Sequence, residues 1–267
     1  MITNPSNRAH LYEDSFFETL RSFQKQIPLW PLHKLRITNT LHILQYPKEW
    51  LYQIEEEFEQ ILGSLEYEKT YKIRWHAYRV GIRDYASASA EPAMEWIVEE
   101  RNDLDNVFIE KAVIYAKQYK AFGELSPIKS GSALLYIKAA DYALQQHANE
   151  AVILSSEGYV SEMCRSNVWL YDGEYWSTPD LKSACVDGVF RKFILSTAHI
   201  FHQKVKEEKI TIEALQQAKS VVLSNALRGV QVLKRLEDIE FETEPGLAFR
   251  QHFHAIWTDI SRMKELF

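Results

Sequence analysis

The sequence contains few of the residues that define several common protein classes. Among 267 residues there are two cysteines, nine glycines and eight prolines. Two cysteines allow one bridge at most and no C-x-x-C motif occurs, which excludes a disulfide framework and favours a reduced, cytoplasmic compartment. The glycines form neither a G-x-G-x-x-G motif nor a P-loop, so both common nucleotide-binding fingerprints are absent.

Long apolar runs and an excess of basic charge are also missing. No apolar stretch approaches the ~20 residues of a membrane span, and the first residues have no apolar region typical of a signal peptide. The formal net charge is −6, which does not favour a nucleic-acid or membrane partner. We therefore expect a soluble, cytoplasmic protein, and 46% hydrophobic residues are ample for a sizeable core.

Hydrophobic periodicity predicts a small α+β domain over 1–120. Gly123 and the Ser126-Pro127 pair interrupt this pattern, which places a linker at 121–128 and a larger mixed α/β domain at 129–267. The elements predicted for the small domain are strands at 15–24, 71–79 and 94–100 and helices at 32–44 and about 48–63, with 107–120 ambiguous by period.

The larger domain is predicted to combine helices with two hairpins. Turns are expected at Ser156-Glu157-Gly158 and at Asp172-Gly173, the stronger of the two signals. The elements predicted here are helices at 132–147, 189–205, 211–219 and about 246–265, and strands at 151–156, 159–163, 168–171, 174–177 and 221–225.

Two residues at the start of this larger domain can carry chemistry. Lys129 follows Pro127 where a helix is about to begin, and a partly desolvated lysine there can act as an amine nucleophile and base. It can equally be one of 31 basic residues on the surface. Glu162 lies in a predicted strand whose other residues are typical of a buried core. A buried carboxylate needs a partner. A protonated pyridine nitrogen is one such partner, and Arg165 is another.

Three further segments can bind an anion. Arg36 follows His33 by one helical turn and its fork suits a phosphate, although an exposed helix arginine is the common case. Gly188-Val189-Phe190 would offer backbone N–H groups at a helix start, unless Asp187 is an ordinary N-cap. Ser224-Asn225-Ala226 lies at the end of a predicted strand. It can form a second polar loop that binds an anion, or it can simply connect the strand to the following loop. His199 and His202 lack a third ligand, so we expect no metal site.

The order of these segments resembles the fold-type IV pyridoxal phosphate enzymes, or class IV aminotransferases. The likeness runs from about Tyr12 to Val232. The motifs that carry it are F-E-T-x-R at 17–21, H-x-x-R at 33–36, G-Y-V-x-E at 158–162 with Ser166-Asn167, T-P-x-L at 178–181 with G-V-x-R at 188–191, and N-A-L at 225–227.

The resemblance implies a two-domain D-amino acid aminotransferase-like fold, a bound pyridoxal 5′-phosphate, and a role for each matched residue. Lys129 would form the Schiff base with the cofactor and then act as general base. Glu162 would hold the pyridine nitrogen. The remaining cofactor-binding residues implied, most of them at the phosphate, are Arg36, Ser166, Asn167, Gly188, Val189, Phe190, Asn225 and Ala226.

Within the family, the sequence is most similar to 4-amino-4-deoxychorismate lyase. The 33-residue step from Lys129 to Glu162 and the 224–227 loop favour that branch, which forms 4-aminobenzoate and pyruvate in folate biosynthesis. A class IV aminotransferase acting on branched-chain or D-amino acids is the alternative, and a non-catalytic protein on this fold is a third. Ser132-Ala133 replaces the family's Asn-Tyr pair.

The substrate side is predicted from position alone. Arg79, Arg83 and Tyr85 lie where relatives place a carboxylate-binding arginine and its neighbours. The substrate would be a small amino compound. Family members are usually homodimers, so a homodimer is expected here as well.

Overall fold

Two compact units make up the chain, which the computed structural model describes at residues 7–81, 85 and 91–258, with side chains as far as 254. The first unit contains residues up to Asn102 and the short segment Ile128–Ala133. The second contains Asp103–Pro127 and everything from Leu134 onward. This division differs from the predicted one because residues 103–120 pair with strands of the second unit.

The first unit is an antiparallel sheet covered by helices. Its described elements are α1 (Arg8–Tyr12), β1 (Ser15–Ser22), α2 (Trp30–Ile43), α3 (Trp50–Ser64), β2 (Tyr71–Arg79) and β3 (Pro92–Glu100), with the strands in the order β1-β2-β3. Trp50, Ile54 and Phe58 form one apolar stripe of α3 and are almost fully buried. They pack in one core cluster with Phe16 and Trp75 of the sheet. This unit combines helices with an antiparallel sheet, and its main segment ends at Asn102 instead of residue 120.

The second unit contains two mixed sheets. Its described strands are β4 (Phe108–Ile109), β5 (Ala112–Lys120), β6 (Glu150–Ser155), β7 (Val160–Met163), β8 (Asn167–Tyr171), β9 (Trp176–Pro179), β10 (Val205–Glu208), β11 (Ser220–Asn225), β12 (Gly229–Leu233), β13 (Arg235–Leu236) and β14 (Ile239–Glu240). One sheet has the order β10-β9-β8-β11-β12-β4 and the other β14-β13-β5-β6-β7. The strands β6, β7, β8, β9, β11 and β12 are buried along most or all of their length, as expected where a sheet is covered on both faces.

Helices of the second unit flank these sheets. They are α4 (Leu134–Gln145), α5 (Val189–Thr197), α6 (Ile212–Gln216) and α7 (Glu244–Thr258), with 3-10 turns at Leu181–Ser183 and Ala198–Phe201. The predicted helix over 189–205 is too long. His202 has a left-handed φ of 54°, which ends the helical segment, and Val205 already begins β10. No helix in the described ranges is both long enough and apolar enough to cross a membrane.

Candidate active site

Lys129 is held at the edge of the first unit's sheet. Phe17 N donates a hydrogen bond to Lys129 O at 2.9 Å. Two residues further on, Gly131 N donates to Ser15 O at 2.8 Å. A Cβ on Gly131 would lie 2.0 Å from Ser15 Oγ, so this close approach favours glycine. The predicted lysine therefore has a backbone fixed by β1 rather than a position in a loose linker.

The side chain of Lys129 reaches the ring of Phe17. Its Nζ lies 3.8 Å from the ring centroid, and Arg74 Cζ lies 3.9 Å from the same centroid. Strand register places His76 opposite Phe17, and their rings stack at 5.2 Å. An aromatic ring attracts cations to its face, so Phe17 gathers two cationic side chains within a small volume.

Arg74 and His76 form a directed pair on β2. Arg74 Nε donates to His76 Nε2 at 3.1 Å. Burial, reinforced by the charge of Arg74, lowers the pKa of His76 to about 4, so the ring is neutral and can accept this bond. The two Nη groups of Arg74 form no hydrogen bond with any described residue. A half-buried guanidinium with free donors is suited to bind a carboxylate.

Arg36 pairs with a glutamate inside the first unit. Its Nε donates to Glu18 Oε1 at 2.8 Å, and its Nη2 donates to Oε2 at 2.5 Å. Glu18 Oε2 also contacts His33 Nδ1 at 2.9 Å. Burial alone would raise the pKa of Glu18, but Arg36 and His33 outweigh it and hold the pKa at about 2. Two of the three guanidinium nitrogens are thus committed, and no described residue is hydrogen-bonded to Nη1, which can therefore bind an anion.

Glu162 is the centre of a polar cluster in the second unit. Its side chain is buried on β7, and Oε1 accepts hydrogen bonds from Lys120 Nζ and from Tyr136 Oη, both at 2.7 Å. Oε2 accepts from Val186 N at 3.0 Å. Burial first, and then the Glu162 charge, raise the pKa of Tyr136 above its ordinary value, so this hydroxyl donates. The partner is therefore Lys120, and Arg165 instead pairs with Glu150.

No side chain caps the start of α5. Gly188 is the N-cap and has no side chain to cap the helix, and no acidic residue lies in the first turn. A Cβ on Gly188 would lie 1.9 Å from Asn167 Oδ1, so the packing requires glycine. Asp187 is not the cap; it pairs with Lys192 at 2.5 Å. The first turn, with Val189 and Phe190, therefore presents backbone N–H groups suited to an anion.

The remaining polar residues shape the loops of the second unit. Asn167 Nδ2 donates to Val186 O at 2.9 Å, which fixes the segment before α5. Asn225 Nδ2 donates to Ser166 Oγ at 2.9 Å, and Asn225 Oδ1 accepts from two backbone N–H groups of the turn after β11. Ala226 lies buried in that turn. These side chains thus position backbone segments.

The predicted substrate-side residues have other contacts in the first unit. Arg79 Cζ lies 4.3 Å from the Tyr46 ring centroid, and its Nη2 donates to Leu44 O. Tyr85 is 84% exposed and its ring lies 5.6 Å from that of Tyr12. Arg83 lies outside the described residues. Arg79 is thus committed to its own unit, and Arg74 is the arginine next to Lys129.

Several functional candidates have no signal of their own in the sequence. Arg74 is one arginine in an alternating strand, and Lys120 ends another strand. Tyr136 is an ordinary residue of an amphipathic helix. The pairing of Phe17 with His76 follows from the register of β1 against β2. The sequence predicts both strands but not their register. These residues can be identified as functional candidates only when their neighbours in the fold are known.

The described groups fit a phosphorylated pyridine. The open start of α5 suits a phosphate, since backbone N–H groups and the helix dipole both favour negative charge. Glu162 is a buried acceptor whose Oε2 has one hydrogen-bond donor among the described residues, which leaves a lone pair for a ring N–H. Lys129 supplies an amine. Each of these groups, taken within its own unit, is therefore of a kind that suits one part of pyridoxal phosphate.

Comparison with known proteins gives the family. The model of the family described as amino-transferase class IV matches residues 15–236. An aminodeoxychorismate lyase of Bacillus subtilis is 28% identical over 99 residues, 37% of this chain and 34% of that protein. A probable branched-chain-amino-acid aminotransferase of Thermotoga maritima is 31% identical over 98 residues, 36% of each. The chain thus matches about a third of the length of these curated relatives.

Solved structures share the fold over nearly the whole chain. A putative 4-amino-4-deoxychorismate lyase from Legionella pneumophila has a TM-score of 0.79 at 19% identity, covering 92% of this chain and 93% of that one. A branched-chain aminotransferase from Thermoproteus uzoniensis has a TM-score of 0.84 at 18% identity, covering 100% and 92%. The expected fold is confirmed, and the chain belongs to the class IV aminotransferase family of pyridoxal phosphate-dependent enzymes.

Proposed function

We propose that this protein is a pyridoxal phosphate-dependent lyase that converts 4-amino-4-deoxychorismate to 4-aminobenzoate and pyruvate. The observation that carries the proposal is the ring of Phe17, whose centroid lies 3.8 Å from the Lys129 amine and 3.9 Å from the Arg74 guanidinium carbon. The amine can serve as a base and the guanidinium can hold a substrate carboxylate. The similarity to a curated aminodeoxychorismate lyase and the Ser224–Leu227 loop both favour the lyase branch.

The cofactor would be held by groups from several segments. Lys129 would bind it covalently, Arg36 Nη1 and the start of α5 would bind its phosphate, and Glu162 Oε2 would accept from its ring nitrogen. Asn167 and Asn225 would fix the loops that present the backbone donors. Bound pyridoxal phosphate supplies an electron-withdrawing ring that stabilises negative charge on the carbon next to the substrate nitrogen.

Lys129 would carry the proton in the reaction. Its Nζ would take the proton from the substrate carbon that bears the nitrogen. The C–O bond to the enolpyruvyl group then breaks, and the leaving enol gains a proton to become pyruvate. Loss of that group leaves an aromatic ring, 4-aminobenzoate. Glu162 Oε2 would accept a hydrogen bond from the ring nitrogen of the cofactor and so support its role as electron sink.

Arg74 would position the substrate through a carboxylate. Its Nη donors are not used by any described residue, and its Nε is anchored on neutral His76. An anchored guanidinium binds a carboxylate in a fixed orientation, which a flexible lysine does not. This places the anionic end of the substrate beside the base. In this proposal Arg74, and not Arg79, binds the substrate carboxylate. Arg83 and Tyr85 have no assigned role.

An aminotransferase is the second candidate, because branched-chain aminotransferases are also among the relatives. The same base and carboxylate-binding residues would serve it. The two reactions diverge after proton removal, since an aminotransferase returns the proton to the cofactor side and releases a keto acid. A cytoplasmic homodimer, the usual form in this family, is part of the proposal for either activity.

A product assay separates the two activities. Purified protein with pyridoxal phosphate is given 4-amino-4-deoxychorismate, and pyruvate and 4-aminobenzoate are quantified. In parallel, glutamate is offered with a branched-chain keto acid and 2-oxoglutarate is measured. The lyase predicts both products in equal amounts and no transamination. Transamination without pyruvate would support the aminotransferase, and neither activity in a protein that also binds no cofactor would support a non-catalytic role.

A further inference from the structure

The carboxylate of Glu162 is shared with a lysine. Lys120 Nζ lies 2.7 Å from Oε1, and the two side chains are 12% and 4% exposed. Lys120 also donates to Ser126 O at 3.2 Å. A pair this short and this sheltered from water is screened far less than a surface ion pair. Glu162 therefore does not present a full negative charge to a ligand.

Apart from Lys120, the groups that donate hydrogen bonds to the Glu162 carboxylate are neutral. Tyr136 donates its hydroxyl proton to Oε1, and burial raises the pKa of both Cys164 and Cys185 to about 12, so the thiols are uncharged. Asp187 is paired with Lys192 at 2.5 Å. Among the described residues, the ammonium of Lys120 is the cation in hydrogen-bond contact with this carboxylate.

Donors also distinguish the two oxygens of Glu162. Lys120 and Tyr136 occupy Oε1, which has two lone pairs, and among the described residues only Val186 N donates to Oε2. A ring N–H can therefore bind at Oε2 alone. Lys120 acts on that acceptor through the carboxylate, since withdrawing charge towards Oε1 weakens Oε2 as a proton acceptor.

We propose that Lys120 is a positioning residue that sets how strongly the cofactor's ring nitrogen holds its proton. Its ammonium competes with the ring N–H for the charge of Glu162, so the proton at the ring is shared rather than fully held. This inference rests on the proposed binding of pyridoxal phosphate. It concerns the strength of the electron sink and not the identity of the substrate.

The direct test is the ¹⁵N resonance of pyridoxal phosphate labelled at the ring nitrogen and bound to the protein. In wild type the resonance should lie between the limits for neutral and protonated pyridine. In Lys120→Met it should move towards the protonated limit, with the ratio of protonated to neutral ring rising about tenfold or more, as expected for loss of one contacting charge. Lys120→Arg should restore the wild-type position.

Matched variants separate charge from structure. Tyr136→Phe removes a neutral donor from the same oxygen, so it should cause a smaller shift in the same direction. Lys138→Met removes an exposed lysine of α4 and should cause none. If Lys120→Met does not fold, a wild-type resonance at the protonated limit would by itself overturn the proposal.

The possible failures are distinguishable. A bound cofactor whose resonance is the same in wild type and Lys120→Met would overturn the role of Lys120 while leaving the proposed function intact. A protein that yields no bound ¹⁵N signal would instead contradict the proposed function. Neither readout depends on turnover.

Discussion

The two units each bury a glutamate with three hydrogen-bond donors, and the donors differ in kind. In the first unit, Arg36 spans both oxygens of Glu18, and His33 adds a third bond. In the second unit, Glu162 is held by single bonds from an ammonium, a hydroxyl and a backbone N–H. A two-point pair fixes one geometry and favours stability, whereas single donors leave an acceptor that a ligand can use.

The glutamate of the first unit should be the most sensitive position. Glu18→Gln removes the charge that balances Arg36, which is 5% exposed, and should cost about 3–5 kcal/mol of unfolding free energy. Chemical denaturation measures it. Glu55→Gln is the matched control, because Glu55 pairs with Lys34 at 2.7 Å near the surface and should cost about 0–1 kcal/mol. Equal losses of unfolding free energy in the two variants would mean that the buried pair stabilises the fold no more than the surface pair does.

Acid should expose the same difference. Glu18 has a pKa of about 2 when folded and an ordinary value of 4.5, so its contribution of about 3 kcal/mol is complete above pH 4.5 and is lost as the pH falls towards 2. Burial also lowers the pKa of His33, which weakens the fold further in acid. Denaturation at stepped pH should show this slope in wild type and a shallower one in Glu18→Gln. Parallel curves would contradict it.

A third prediction contrasts two arginines of the first unit. Arg74→Gln should raise KM about 10- to 100-fold, the loss of a charged hydrogen bond worth about 1.5–3 kcal/mol, while cofactor affinity is unchanged. Arg79→Gln removes the cation next to Tyr46 and should lower stability with little change in KM. Steady-state kinetics and a cofactor titration separate the two. The reverse pattern would return the substrate role to Arg79.

A change at the second glutamate should cost the least stability. Glu162→Gln keeps one acceptor oxygen for Lys120 and Tyr136, and Lys120 is 12% exposed and can reach water. Unfolding of the protein without cofactor should lose about 1–2 kcal/mol. Cofactor affinity, measured by fluorescence titration, should fall more clearly. A loss of stability as large as that of Glu18→Gln would mean that both glutamates are structural.

Local sequence signals predicted much of the fold. Asp172-Gly173 marks a real turn, since Gly173 has a φ of 112° and β8 pairs with β9 across it. The stripe of α3 and the alternating strand at 71–79 were also clear, because one buried face determines each pattern. The helix after Gly188 ended earlier than predicted, because a left-handed residue is not visible in an apolar pattern. Strand β12 was missed, although it is as long as β8.

The site was less predictable because its contacts are distant in sequence. Lys120 and Glu162 are 42 residues apart, and Lys129 meets Phe17 through a strand edge that periodicity does not reveal. Motif order pointed to Lys129, Glu162 and Gly188 as candidates. Arg74 has no motif of its own, and it becomes a candidate only through its contact with Phe17. Long-range pairing, rather than residue type, therefore separates what could be predicted from what could not.

Covalent trapping of the cofactor is the decisive measurement for the role of Lys129. Protein incubated with pyridoxal phosphate is reduced with borohydride and digested, and the modified peptide is identified by mass spectrometry. We expect one phosphopyridoxyl group on the peptide that contains Lys129, and no trapping in Lys129→Ala. Modification of Lys120 instead, or unselective modification that persists in Lys129→Ala, would contradict the assignment of Lys129 as the residue that binds the cofactor.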